Sequence, residues 1–184
     1  MKTVRCGLIV MAAMASAATA RAQSVPPLGG VSIGVGYQLL HIPDETFPFG
    51  MNFDVAAPIT RMMHVVGEFG FATDDQTEPG VSGNLTMYNL GAGARWTMSN
   101  VISAPSVIPF AQLVVGVLRT DADLTQNGVP FHAADWAFML QPGAGVTVPI
   151  SPMIGVIGQV DYRRAFFSKS ENEFRVMVGV RLGR

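Results

Sequence analysis

Residues 152–182 read PMIGVIGQVDYRRAFFSKSENEFRVMVGVRL, two alternating runs around one polar loop. In the first run Ile154, Val156, Val160 and Tyr162 share a face, with Gly158 among them, and Gln159, Asp161 and Arg163 share the other. In the second run Phe174, Val176, Val178, Val180 and Leu182 oppose Glu173, Arg175, Met177, Gly179 and Arg181. Period two is the signature of a strand. With Arg164 to Asn172 as the loop and the fold at Ser168, Asp161 comes opposite Arg175 and Arg163 opposite Glu173. The same register sets Tyr162 against Phe174 and Val160 against Val176. Unlike charges and aromatic or β-branched pairs are favourable cross-strand neighbours, and a one-residue slip would invert every side chain.

The apolar face of this hairpin is unbroken, whereas the polar face is charged, paired and rich in glycine. A soluble barrel would bury the first and wet the second. A membrane-spanning barrel does the opposite, with the apolar face in lipid and the charged face in a narrow lumen.

The rest of the chain repeats the pattern. Met1 to Ala22 has Lys2 and Arg5, the apolar run Leu8 to Ala18 and a small-residue Ala20-Arg21-Ala22 end, which predicts a signal peptide cleaved before Gln23. Its apolar core is short for a spanning helix, and it holds Cys6, the only cysteine, so the mature chain has no disulfide or thiolate site. Removing Lys2, Arg5 and Arg21 leaves nine basic against 13 acidic residues, which gives no electrostatic reason to expect a nucleic-acid partner.

A Pro/Gly leader, 23–30, precedes a single predicted barrel domain, 31–184. Its strands are expected at about Val31–His41, Phe47–Ala57, Met62–Ala72, Asn84–Thr97, Val107–Arg119 and Asp135–Val148, followed by the final pair. Folding the second and third strands about Ile59 puts Asp54 opposite His64 on the inner face, and Phe49 opposite Phe69 and Phe47 opposite Phe71 on the outer face. Thr73 to Gly83 and Thr120 to Ala134 read as long polar loops, whereas Pro58 to Arg61 and Pro149 to Pro152 read as short turns. The fold class is therefore all-β: an eight-stranded antiparallel up-and-down transmembrane barrel, long loops outside, short turns and both termini on the periplasmic side.

The segments PFAQLVVGV (109–117), LQPGAGVTVPIS (140–151), IGVIGQVDYRR (154–164) and FRVMVGVRLGR (174–184) resemble the small outer-membrane β-barrel family, the barrel type of OmpA-like and OmpX-like proteins. The resemblance implies a bacterial outer-membrane barrel of the cell envelope and little chemistry. Such proteins usually end on an aromatic residue, where this chain ends Leu182-Gly183-Arg184, and no peptidoglycan-binding domain is expected after the last strand.

The candidate site is the inward polar set: Asp54, His64, Glu68, Arg95, Gln112, Gln141, Gln159, Asp161, Arg163, Glu173, Arg175 and Arg181. An ion path is one reading. A structural network filling the lumen is preferred, because eight strands leave room for little more than their own side chains and buried charges need partners. No catalytic, cofactor or metal set is expected. None of His41, His64 and His132 sits two residues from a serine, the spacing a lipid A deacylase would want, and no two have the spacing of paired metal ligands. Asp44, Glu45, Asp74, Asp75, Glu78, Asp121, Asp123, Asp135 and Glu171 make the loops acidic. They read as solvated, with divalent-cation bridging to lipopolysaccharide as the functional option. The expectation is a monomer in outer-membrane lipid and lipopolysaccharide, with a structural or loop-mediated surface role; a lipid A-modifying enzyme and a narrow ion channel are the alternatives.

Overall fold

A computed structural model of the chain describes residues 30–42, 45–78, 81–98, 107–126, 129–167 and 170–183. The expected signal peptide and all of the leader except Gly30 lie outside the described residues. The strands are β1 (Ser32–Ile42), β2 (Glu45–Phe47), β3 (Phe49–Pro58), β4 (Met63–Glu78), β5 (Val81–Thr97), β6 (Ile108–Gln126), β7 (Val129–Pro149), β8 (Ile154–Phe166) and β9 (Ser170–Gly183). From β3 onward each pairs antiparallel with the next, and β1 closes the sheet on β9 from Ser32↔Gly183 to His41↔Phe174.

β2 and β3 both pair with β1 and form one barrel strand interrupted at Pro48, so the closed barrel has eight strands. Leu40 faces Phe47 but Tyr37 faces Met51, which leaves one extra residue on the β2–β3 side. Proline cannot donate to a ladder, and a bulge accommodates it. The bulge resets the alternation. Phe47 is fully buried inside the barrel and Phe49 is half exposed outside it, which corrects the expectation that both face outward.

The final hairpin has the register read from the sequence: Val160↔Val176, Asp161↔Arg175, Tyr162↔Phe174 and Arg163↔Glu173. Its connection is shorter than the expected Arg164–Asn172 loop, because pairing continues to Phe166↔Ser170. The β3–β4 register differs from expectation by four residues, with Asp54 opposite Glu68, Phe53 opposite Phe69, and His64 opposite Pro58. The turn explains the shift. Ile59 N and Thr60 N donate to Met63 O (2.8 and 3.0 Å), and the Thr60 hydroxyl accepts from Met62 N and Met63 N, so the chain reverses about Arg61 instead of Ile59. An even slip preserves the faces.

Pro149-Ile150-Ser151 repeats this device. Ile150 N and Ser151 N donate to Ile154 O, and the Ser151 hydroxyl accepts from Met153 N and Ile154 N.

The expected long loops are largely strand. β4 and β5 pair as far as Glu78↔Val81, and β6 and β7 as far as Gln126↔Val129. The polar residues of 73–78 and 81–83, and of 120–126 and 129–134, satisfy their backbone groups by strand pairing. Val129 to Ala137 pair with β6 alone before β8 joins at Phe138, about 30 Å of strand standing above the β8–β1 side of the wall.

Below that level the outward side chains are apolar: Ile33, Val35, Leu90, Leu113, Val115, Val117, Val160, Val176, Val180 and Leu182 are all exposed. Aromatic pairs ring the loop end of this band. Tyr37 stands edge-on to Phe49 (6.2 Å), Phe49 lies beside Phe71 (6.3 Å), and Tyr162 meets Phe174 (5.4 Å). The Tyr37 hydroxyl donates to Pro48 O at the bulge.

Candidate functional site in the lumen and at its mouth

Period two sends every second residue of each strand inward, and closure brings those side chains onto one axis. Asp54, His64, Glu68, Arg95, Gln112, Gln141, Gln159, Asp161, Arg163, Glu173, Arg175 and Arg181 are all buried there. Four are carboxylates and four are arginines, so apart from His64 the buried charges balance.

Arg175 is the hub. Its guanidinium donates to Glu68 Oε1 (2.6 Å) and Oε2 (3.0 Å) across the lumen, to Asp161 Oδ2 (2.9 Å) on the neighbouring strand, and to Asn52 Oδ1 (2.9 Å). Towards the turns Asp54 Oδ1 accepts from both Arg95 (3.0 Å) and Arg181 (2.8 Å), and towards the loops Arg163 donates to Glu173 (3.2 Å). One carboxylate with two arginines, one arginine with two carboxylates and one simple pair sum to zero.

Two glutamines join these groups. Gln112 Oε1 accepts from Arg95 Nε (2.9 Å) while its Nε2 donates to Asp161 Oδ1 (3.4 Å). Gln141 Oε1 accepts from Arg163 Nε (2.9 Å) while its Nε2 donates to Glu68 Oε1 (3.2 Å). Amides suit this position because one end accepts and the other donates. Gln159 adds donors to both Asp161 oxygens. Glycines make the space: a Cβ at Gly143 would overlap Asp161 Oδ1, and one at Gly34 would overlap Asp54 Oδ2. Arg95 and Arg181 also lie over the Phe110 ring at 4.7 and 5.8 Å.

His64 does not meet Asp54 as the sequence register suggested; its Nδ1 has no hydrogen-bond partner among the described residues. His41 bonds Thr46 Oγ1 (2.8 Å) and His132 bonds Asp123 Oδ1 (2.5 Å), both on exposed strand ends. The three histidines do not converge. Among the described residues no His, Cys, Asp and Glu group is arranged to hold a metal ion.

Sequence reasoning missed an apolar plug. Leu40, Phe47, Ala72, Met87, Leu118, Ala137 and Ala165 form one buried cluster at the loop end of the lumen, with Ile42, Leu85 and Phe167 packed on it. The signal was present in the inward parity of Leu40, Met87 and Leu118, but Phe47 was hidden by the bulge.

A closed antiparallel barrel with lipid-compatible residues outside and ion pairs inside is a membrane-spanning β-barrel, because closure alone satisfies every strand edge in hydrocarbon. The chain belongs to the outer membrane protein beta-barrel domain family, matched over residues 7–181, and is a protein of the bacterial outer membrane. Neisserial surface protein A has a similar fold at 13% identity and a TM-score of 0.63, covering 84% of this chain and 96% of that one. Ail, the attachment invasion locus protein of Yersinia pestis, solved with the heparin analogue sucrose octasulfate, is similar at 16% identity and a TM-score of 0.54, covering 83% and 96%. Comparison with curated protein sequences finds no match.

Proposed function

We propose that the chain is a monomeric barrel whose lumen is a structural core and whose work is done by its extracellular surface. The observation that carries this reading is the charge-balanced network about Arg175, capped by the Leu40–Phe47–Leu118 plug. Ion passage would require separating bonded pairs in a low-dielectric interior and moving the plug, each costing several kcal/mol. Residues 1–22 serve as the export signal, so the mature protein begins at Gln23.

The purified barrel in a planar lipid bilayer gives no stepwise current. Discrete conductance steps would overturn the closed lumen and put the channel reading first. The lipid A-modifying alternative predicts that His64→Ala or His132→Ala changes the lipid A mass spectrum; on the reading preferred here that spectrum is unchanged. The mass of protein from outer membranes matches a chain starting at Gln23.

A further inference from the structure

Above the aromatic ring the faces of β5, β6 and β7 change character. On β5 the outward residues change from Leu90 and Tyr88 to Thr86, Asn84 and Ser82, and on β6 from Val117 to Arg119, Asp121 and Asp123. This outer face is bonded to itself: Asn84 Nδ2 donates to Thr73 Oγ1 (2.8 Å) and Asp75 Oδ1 (3.0 Å), Arg119 Nε to Asp121 Oδ1 (2.9 Å), and His132 meets Asp123. The lumen side of β5–β7 carries an apolar stripe beyond the Thr120–Asp135 pair. Leu85, Ala122 and Ala133 stand in one cross-strand row, and Leu124 and Phe131 in the next. Val129 and Phe131, at 66% and 60% exposure, end this stripe, and Leu85 at its other end packs on the buried plug.

Three carboxylates share that side of the mouth by register: Asp74 opposite Leu85, Asp135 opposite Thr120, and Glu171 opposite Ala165. The buried inward arginine nearest to it, Arg163, is held by Glu173.

We propose that this lumen-side face docks a cationic amphipathic polypeptide, its apolar side on Leu124, Phe131 and Val129 and its Lys or Arg residues towards Asp135 and Glu171. The inference rests on the surface-interaction reading above and names its partner class. Charge complementarity selects the occupant: an exposed apolar sheet face marks a binding surface, and a carboxylate rim favours cations and repels polyanions. A sulfated polyanion such as the sucrose octasulfate bound by Ail is therefore the wrong sign here.

The test uses the full-length barrel in phosphatidylcholine nanodiscs and a fluorescent Leu/Lys amphipathic helix, with a Leu/Glu helix of the same pattern and empty discs as controls. The Leu/Lys helix binds saturably, at least about tenfold tighter than the Leu/Glu helix. Val129→Ser with Phe131→Ser weakens it by about tenfold or more. Asp135→Asn with Glu171→Gln weakens it and flattens its salt dependence. All four positions are exposed, so the heat-modifiable migration of the barrel is kept in both variants. Equal binding of the two helices, equal binding to empty discs, indifference to both variants, or tighter binding of sucrose octasulfate overturns the proposal. Such a result in a non-conducting barrel leaves the closed-lumen reading intact; conductance would sink that reading whatever the helices do.

Discussion

Arg175 shows how one side chain organises a lumen. It is fully buried and bonds Glu68 and Asp161, so truncating it strands two carboxylates in a low-dielectric interior. Arg175→Leu lowers the unfolding free energy in lipid vesicles by about 3–5 kcal/mol, read by urea titration of tryptophan fluorescence. Arg119→Ala, at a half-buried pair with Asp121 outside the lumen, costs less than Arg175→Leu, about 1 kcal/mol in the same assay. Gly143→Ala acts on the hub at one remove. Its methyl group displaces Asp161, and double-mutant coupling between Asp161→Asn and Arg175→Leu falls towards zero in that background. The Asp161–Arg175 pair was legible because the partners lie on adjacent strands in one hairpin. The Arg175–Glu68 bond joins residues 107 apart across the barrel, and no cross-strand register contains it.

At the scale of elements, the departures from the sequence reading come from turns and one proline. Strand faces are set by side-chain parity, which survives an even slip, so β3 and β4 kept their faces while every partner changed. Pro48 adds an odd residue and does alter parity. Deleting Pro48 brings Leu40↔Phe47 and Tyr37↔Met51 into one unbroken ladder with Phe47 still inward. The deletion variant should keep its heat-modifiable migration and gain amide protection over 45–52 by hydrogen exchange; loss of the folded band would show that the bulge is required. Polar residues in 120–134 were read as loop because their face carries no hydrophobic alternation towards lipid. Their alternation exists with the sign reversed, since that stretch stands in water.

For the molecule as a whole, the neutrality of the lumen makes a prediction of its own. The described ion pairs of the lumen are buried and screened little by salt, whereas the acidic mouth is exposed. Raising salt from about 0.05 to about 0.5 M leaves the urea midpoint nearly unchanged while weakening cation binding at the mouth. A midpoint that falls steeply with salt would mean that water and ions enter the network.

The sequence by itself determined that this chain is an apolar-outside, charged-inside barrel, because period-two alternation and the pairing of unlike charges are local and need only neighbouring strands. Only the tertiary structure decided which charges meet, that the lumen ends in an apolar plug, and that the β5–β7 wall rises with a polar outer face and an apolar stripe on its lumen side. Those properties depend on closure, which carries side chains from β1, β4 and β9 onto a common axis, and on the height at which lipid gives way to water.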